Sequence, residues 1–401
     1  MKNPSLAIAR RVQRVKPSPT LAMTARAAEL KHAGKDVISL SVGEPDFDTP
    51  AHIAAAGIEA IRSGFTRYTN ADGMPELKDA IREKFERDNG LKYERNQILV
   101  STGAKQTLFN LCLAVVDPGD EVVIPAPYWV SYPDMVMLAD GLPVTPDATP
   151  ENGYKITPRQ LAAAITPRTR LVLLNSPSNP TGAAYTRAEL QALGEVLMEH
   201  PRVLIGTDDI YEKIYWGSEP FTSLAQACPA LYERTVTING CSKGYAMTGW
   251  RIGYCGGPRE VIAAMATVQG QSTTNAASMS QRAAIAALNG PQDDVARMNE
   301  AFRRRHDLFV AGLNALPGFS CRPGAGTFYA WVDVRGAIAG LGLRDDETLA
   351  EFLLSEALVA GVAGSGFGAP GHLRLSFACA EATLREALDR IGAALARRRS
   401  A

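Results

Sequence analysis

Between residues 97 and 290 the chain alternates short apolar runs with longer amphipathic stretches. The runs at 98–101, 121–125, 170–175, 203–207, 235–238 and 252–255 read as strands. The stretches at 105–116, 130–139, 187–200, 260–269 and 278–288 read as helices. Apolar runs without polar alternation belong to strands covered on both faces. The pattern therefore predicts an α/β fold whose mostly parallel sheet is sandwiched by helices. In such a sheet ligands gather beyond the carboxyl ends of the strands. Upstream, helices are expected at 20–33, 51–63 and 75–89, with a strand at 37–40. Pro17 and Pro19 break the chain before the first of these helices, and Gly34 closes it. After Pro291 the pattern changes to a long basic helix at 293–316, a strand at 327–332 and a helix at 347–357. A strand at 373–376 and a last helix at 381–397 complete what reads as a smaller α+β domain.

Composition narrows the function classes. At 401 residues there is material for two domains, and Lys+Arg and Asp+Glu are both 42, so no net field favours nucleic acid or an anionic membrane. The six cysteines contain no C-x-x-C pair and the five histidines no H-E-x-x-H, which argues against a metal site and for reduced, cytoplasmic thiols. Lys2, Arg10, Arg11, Arg14 and Lys16 precede the first acid, Glu29, but no apolar segment accompanies them. They read as a basic arm.

The candidate chemistry sits after the predicted strands. Asn239 to Tyr254 reads NGCSKGYAMTGWRIGY, with small residues around Lys243 and Arg251 further on. Desolvation and a nearby cation both disfavour an ammonium, leaving an amine able to attack a carbonyl and form a Schiff base. Arg251, a planar fork, suits a phosphate. Gly103, Ala104 and Lys105 join a strand to a helix, where backbone amides can face an anion. Trp129 could stack on a planar ring or simply fill the core. Asn179, in Asn175-Ser-Pro-Ser-Asn-Pro, could bond a phenolic oxygen or merely form a turn. Asp208 could pair a ring nitrogen or cap a helix. Arg374 could clamp a carboxylate or lie on a surface strand. Gly364-Ser-Gly-Phe-Gly-Ala matches G-x-G-x-x-A but opens no helix, so it is set aside as a dinucleotide site. Cys241 is read as packing.

Taken in order, these motifs resemble the class I aminotransferases of fold type I, and within them the bacterial-type aspartate aminotransferases. The resemblance runs from Lys16 to the final helix. It implies pyridoxal 5'-phosphate as cofactor, no metal, and a large domain at 48–292. The small domain would be built from the N-terminal segment 1–47 and residues 293–401. It implies that Lys243 holds the cofactor and moves a proton, with Asp208 and Tyr211 as the other catalytic residues. Asp208 would pair the ring nitrogen, Asn179 and Tyr211 the ring oxygen, and Trp129 the ring face. Gly103, Ala104, Lys105 and Arg251 would surround the phosphate, with Tyr68 reaching over from the second subunit of a homodimer. Gly43 and Arg374, beside Trp129 and Asn179, would hold the substrate. Lys16 and Lys105 would meet a second carboxylate. The implied reaction is transamination between aspartate and 2-oxoglutarate. Prephenate, aromatic or neutral amino acids, a β-lyase, and a regulatory binding module are alternatives. Asp209 stands where the family has Glu, and Ala363 where Pro is common.

Overall fold

The protein is described by a computed structural model covering residues 8–399. Lys2 of the expected basic arm lies outside them. In chain order the strands are β1 Ile38–Ser39, β2 Ile98–Thr102, β3 Glu121–Val123, β4 Leu142–Val144, β5 Thr169–Asn175, β6 Leu204–Asp208 and β7 Thr235–Gly240. They continue with β8 Ile252–Gly256, β9 Ser320–Cys321, β10 Tyr329–Asp333, β11 Val359–Ala360, β12 Val362–Ala363 and β13 His372–Ser376.

One seven-stranded sheet runs β2-β8-β7-β6-β5-β3-β4. Every pairing from β7 to β4 is parallel, whereas β8 is antiparallel to both neighbours. The 241–251 link between β7 and β8 is a series of turns. A parallel return needs a crossover of about a dozen residues or more, usually helical, so this link reverses the chain instead. All of β7 and β8 is buried, as are residues 98–101 and 171–174. Helices on both sheet faces account for those unbroken apolar runs.

A second, antiparallel sheet has the order β12-β13-β10-β9, and β1 pairs separately with β11 in parallel. The helix Pro75–Asn89 shows how local chemistry sets the ends: proline occupies its first turn and Gly90 closes it at φ +64°. The predicted helix at 347–357 is an α-helix, Asp346–Phe352, that widens into a π turn over Leu353–Ala357. Elements absent from the periodicity reading are short ones. Strands β9, β11 and β12 have two residues each, too few to show an alternation. The helix Pro158–Ala164 is only seven residues long, and its signal is the capping box of Thr157 and Gln160. Among the described residues, no helix is long and apolar enough to cross a membrane, and no His/Cys/Asp/Glu group could hold a metal.

Beneath the large sheet lies a buried ion pair, Lys84 with Glu212, whose spare valences are taken by Asn89. Removing one partner strands the other charge without water. Lys84→Met is expected to cost about 3–5 kcal/mol in a denaturant melt, and the double change Lys84→Met/Glu212→Leu to recover most of that. A double variant no more stable than the single one would contradict this.

Candidate active site

Three neighbouring strands deliver their carboxyl ends to one cavity of about 420 Å³. Residues Asn175 and Asp208 close β5 and β6 in register with each other, and Asp208 is in turn opposite Ile238 of β7. The Asn175 side chain ties them, donating to the Asp208 carbonyl at 2.7 Å and accepting the Asn179 amide at 2.7 Å. Burial lifts the Asp208 carboxyl to about 6, and the Tyr132 hydroxyl, donating at 2.7 Å, opposes that rise.

Lys243 enters from the turn after β7 and donates from Nζ to the Gly43 carbonyl at 2.6 Å. Desolvation lowers its pKa to about 8, the cations Arg374 and Arg251 push the same way, and Glu44 and Asp208 oppose them. Its neutral fraction therefore grows as pH rises through about 8, where an ordinary lysine near 10.5 stays charged. Modification of Lys243 by an amine-selective reagent, followed by peptide mapping, is expected to rise with a midpoint near 8 in cofactor-free protein. A midpoint shared with the surface lysines would contradict the desolvated setting.

Arg374 projects from β13, opposite Trp331 of β10. It is 2% exposed, and among the described residues no carboxylate pairs with it. Its Nη1 donates to Asn179 Oδ1 at 3.0 Å and its Nη2 to the Ser41 carbonyl at 2.7 Å. The Nε has no hydrogen-bond partner among the described residues, and the Tyr329 ring lies 4.3 Å from the guanidinium. A buried cation without a counter-ion is costly unless an anion arrives. The hydroxyls of Tyr211 and Tyr329 meet at 3.0 Å on the same wall. Gly43 is required there, because a Cβ would stand 2.4 Å from the Tyr329 hydroxyl.

Below the cavity wall, Gly103 turns at φ +82° into the helix Ala104–Val115 and packs against Arg251. A Cβ on it would fall 2.4 Å from Arg251 Nη2, so only glycine lets the guanidinium lie against the helix start. Arg251 itself has φ +57° and donates from Nη1 to the Thr248 carbonyl at 3.0 Å. Cation and helix terminus together make an anion cradle. Lys105 sits 4.8 Å from the Trp129 ring, and burial, then Arg251, lower its pKa.

The cavity thus gathers Gly43, Ala104, Lys105, Trp129, Asn179, Asp208, Tyr211, Lys243, Arg251 and Arg374, with Gly103 just behind its wall. It does not gather the remaining two. Tyr68 is 90% exposed, and Lys16 is exposed on the arm, whereas Ser18, Thr20 and Leu21 of the same arm line the cavity. Sequence reasoning did not single out Asn175, Tyr132, Ser242 or Tyr329, all on the wall. Only Asn175 carried a signal, as a polar residue ending an apolar strand.

These groups fit pyridoxal 5'-phosphate. A buried carboxylate suits a ring nitrogen, the anion cradle a phosphate, the amine of lowered pKa an aldehyde, and the unpaired arginine a substrate carboxylate. This fold and donor set define a fold type I enzyme dependent on that cofactor, an aminotransferase. The chain belongs to the aminotransferase class I and II family, whose model matches residues 35–391. It is 56% identical over 385 residues to an aspartate/prephenate aminotransferase of Cereibacter sphaeroides, covering 95% of this chain and 96% of that one. It is 52% identical to an aspartate aminotransferase of Rhizobium meliloti, covering 96% and 95%. Among solved structures, the R. meliloti aspartate aminotransferase superposes with TM-score 0.94 at 51% identity, covering 98% and 100%. The Thermus thermophilus aspartate aminotransferase with maleate gives 0.92 at 44%, covering 97% and 100%.

Proposed function

We propose that the protein transfers the amino group of aspartate to 2-oxoglutarate, giving oxaloacetate and glutamate. The observation that carries this is Arg374, buried without a counter-ion among the described residues, on the wall of one cavity with Lys105. A dicarboxylate can answer two separated cations, and a single neutral amino acid only one. Pyridoxal 5'-phosphate, when bound, supplies the carbonyl that takes the substrate nitrogen and a sink for the electron pair left at Cα. Lys243 Nζ takes the proton from the substrate Cα and would deliver it to the carbonyl carbon of the bound cofactor, the 1,3-shift that amino transfer requires. Asp208 holds the ring nitrogen protonated, Asn179 and Tyr211 bond the ring oxygen, and Trp129 covers the ring face. Gly103, Ala104 and Arg251 hold the phosphate, with Lys105 beside them to meet the second carboxylate as well; Arg374 and Gly43 orient the α-carboxylate.

The same reading makes the protein a cytoplasmic homodimer with a large domain at 48–292. Tyr68, a large ring held in water, then finds its place against the partner's phosphate site. Lys16 approaches the second carboxylate as the arm settles on its substrate. The free cysteines, five of them buried, accord with a reducing compartment. Prephenate, also a 2-oxo acid, is a second acceptor to consider because the Cereibacter relative bears that name.

In purified protein, aspartate alone is expected to abolish the cofactor's visible absorbance band, and 2-oxoglutarate to restore it. Restoration by prephenate as well would widen the acceptor range. A bound cofactor that ignores aspartate would sink the substrate assignment.

A further inference from the structure

We infer that Tyr132 is a positioning residue for the aminotransferase reaction: its hydroxyl holds the Asp208 carboxylate oriented and ionised inside the cavity wall. The inference rests on the reading of Asp208 as the ring-nitrogen partner. Tyr132 lies in the first turn of the helix Ser131–Leu138, three residues after Trp129. Its amide bonds the Trp129 carbonyl at 3.0 Å, and the two rings pack edge to face at 5.2 Å and 85°. Its hydroxyl donates to Asp208 Oδ2 at 2.7 Å, the only side-chain hydrogen bond to that carboxylate among the described residues. The other oxygen accepts the Ile210 amide at 3.3 Å, a long contact. A single residue therefore joins the aromatic wall to the carboxylate.

A buried carboxylate needs donors to remain charged. The groups facing Asp208 are Tyr132 from this helix, Lys243 from the turn after β7, and Asp209 and Tyr211 from its own turn. Burial, then Glu212, push the Asp209 carboxyl well above the usual carboxylate range, which weakens its repulsion of Asp208. Lys243 loses its charge as pH rises and as it reacts. Tyr132 is different. Burial and the neighbouring Asp208 hold its own hydroxyl proton far above the working range, so it donates at every pH the enzyme meets.

Hydrogen bonds to charged groups shift a protonation equilibrium by about ten- to a hundredfold, or about one to two pH units. The test uses the full chain with Tyr132→Phe, which keeps the ring and its packing; a melt checks that it folds. Before cofactor is added, the protonated-carboxyl infrared band that Asp208→Asn removes is titrated in both proteins. The band is expected to titrate one to two units higher in Tyr132→Phe. After loading, retention of pyridoxal 5'-phosphate on dialysis is followed against pH. Loss should begin at a higher pH in the variant, by the same interval.

An unchanged infrared titration overturns the role of Tyr132, whatever happens to turnover. A displaced titration with cofactor retention unchanged in its pH dependence supports Tyr132 and instead overturns the reading of Asp208. Should Tyr132→Phe melt early, Tyr132→Met, which fills the space without a donor, carries the same titration.

Discussion

Lys243→Ala abolishes steady-state transamination, lowering turnover by at least about three orders of magnitude. The reason is that, among the described residues, no other amine is placed to replace it. Lys105, the remaining lysine on the cavity wall, lies against the Trp129 ring, whereas Lys243 contacts the Gly43 carbonyl. Fold loss is not the expected cause. Burial already disfavours the Lys243 ammonium, so removing it relieves desolvation and leaves space in an open cavity rather than a void in the core. The variant should therefore melt no earlier than the parent before cofactor is added. Lys243→Arg separates charge from chemistry, because a guanidinium stays protonated throughout the working range. It should be as inactive as the alanine form. A variant at position 243 that retained full turnover would end the assignment.

Arg374→Ala gives the second largest effect. Truncating one side of a buried hydrogen-bonded charge pair costs about 2–5 kcal/mol, so kcat/KM for aspartate should fall roughly 30- to 5000-fold. Arg374→Lys should recover only part, since an ammonium is a point charge and cannot hold two carboxylate oxygens as a planar fork does. Asn179 is the neighbour to watch. It loses the bond at 3.0 Å in the alanine variant and can turn away, adding to the damage. The comparison that isolates the carboxylate uses β-alanine, which is aspartate without its α-carboxylate. The ratio of aspartate to β-alanine activity should collapse in Arg374→Ala. If both substrates lose equally, the arginine is holding the wall together rather than the substrate.

Lys243, Asp208, Asn179 and Arg374 were legible as candidates because each follows or occupies an apolar run. Polar chemistry at the end of a buried strand has few structural uses, and it falls where α/β sheets bind ligands. Trp129 was legible only as an aromatic past a strand, and Asp209 only as a departure from a motif. Its burial beside Glu212 could not be read from the chain. Tyr132 and Tyr329 were not legible either. A tyrosine in a helix and another in a strand resemble core residues until the fold sets their hydroxyls beside Asp208 and Tyr211.

By itself the chain determined the alternation of buried strands and covering helices, the glycine at the helix start, and the order of the chemical motifs. These follow from unbroken apolar runs, from a helical period of about 3.6 residues and from local backbone freedom, all properties of neighbours in sequence. The direction of β8 followed only from how the 241–251 turns close. The free valences of Arg374, the lowered pKa of Lys243 and the placement of Tyr132 were decided by the tertiary structure. They depend on water excluded and charges assembled from residues far apart in the chain. Arg374 is bonded by Ser41, 333 positions away, and by Asn179, 195 away. No local pattern encodes a dielectric.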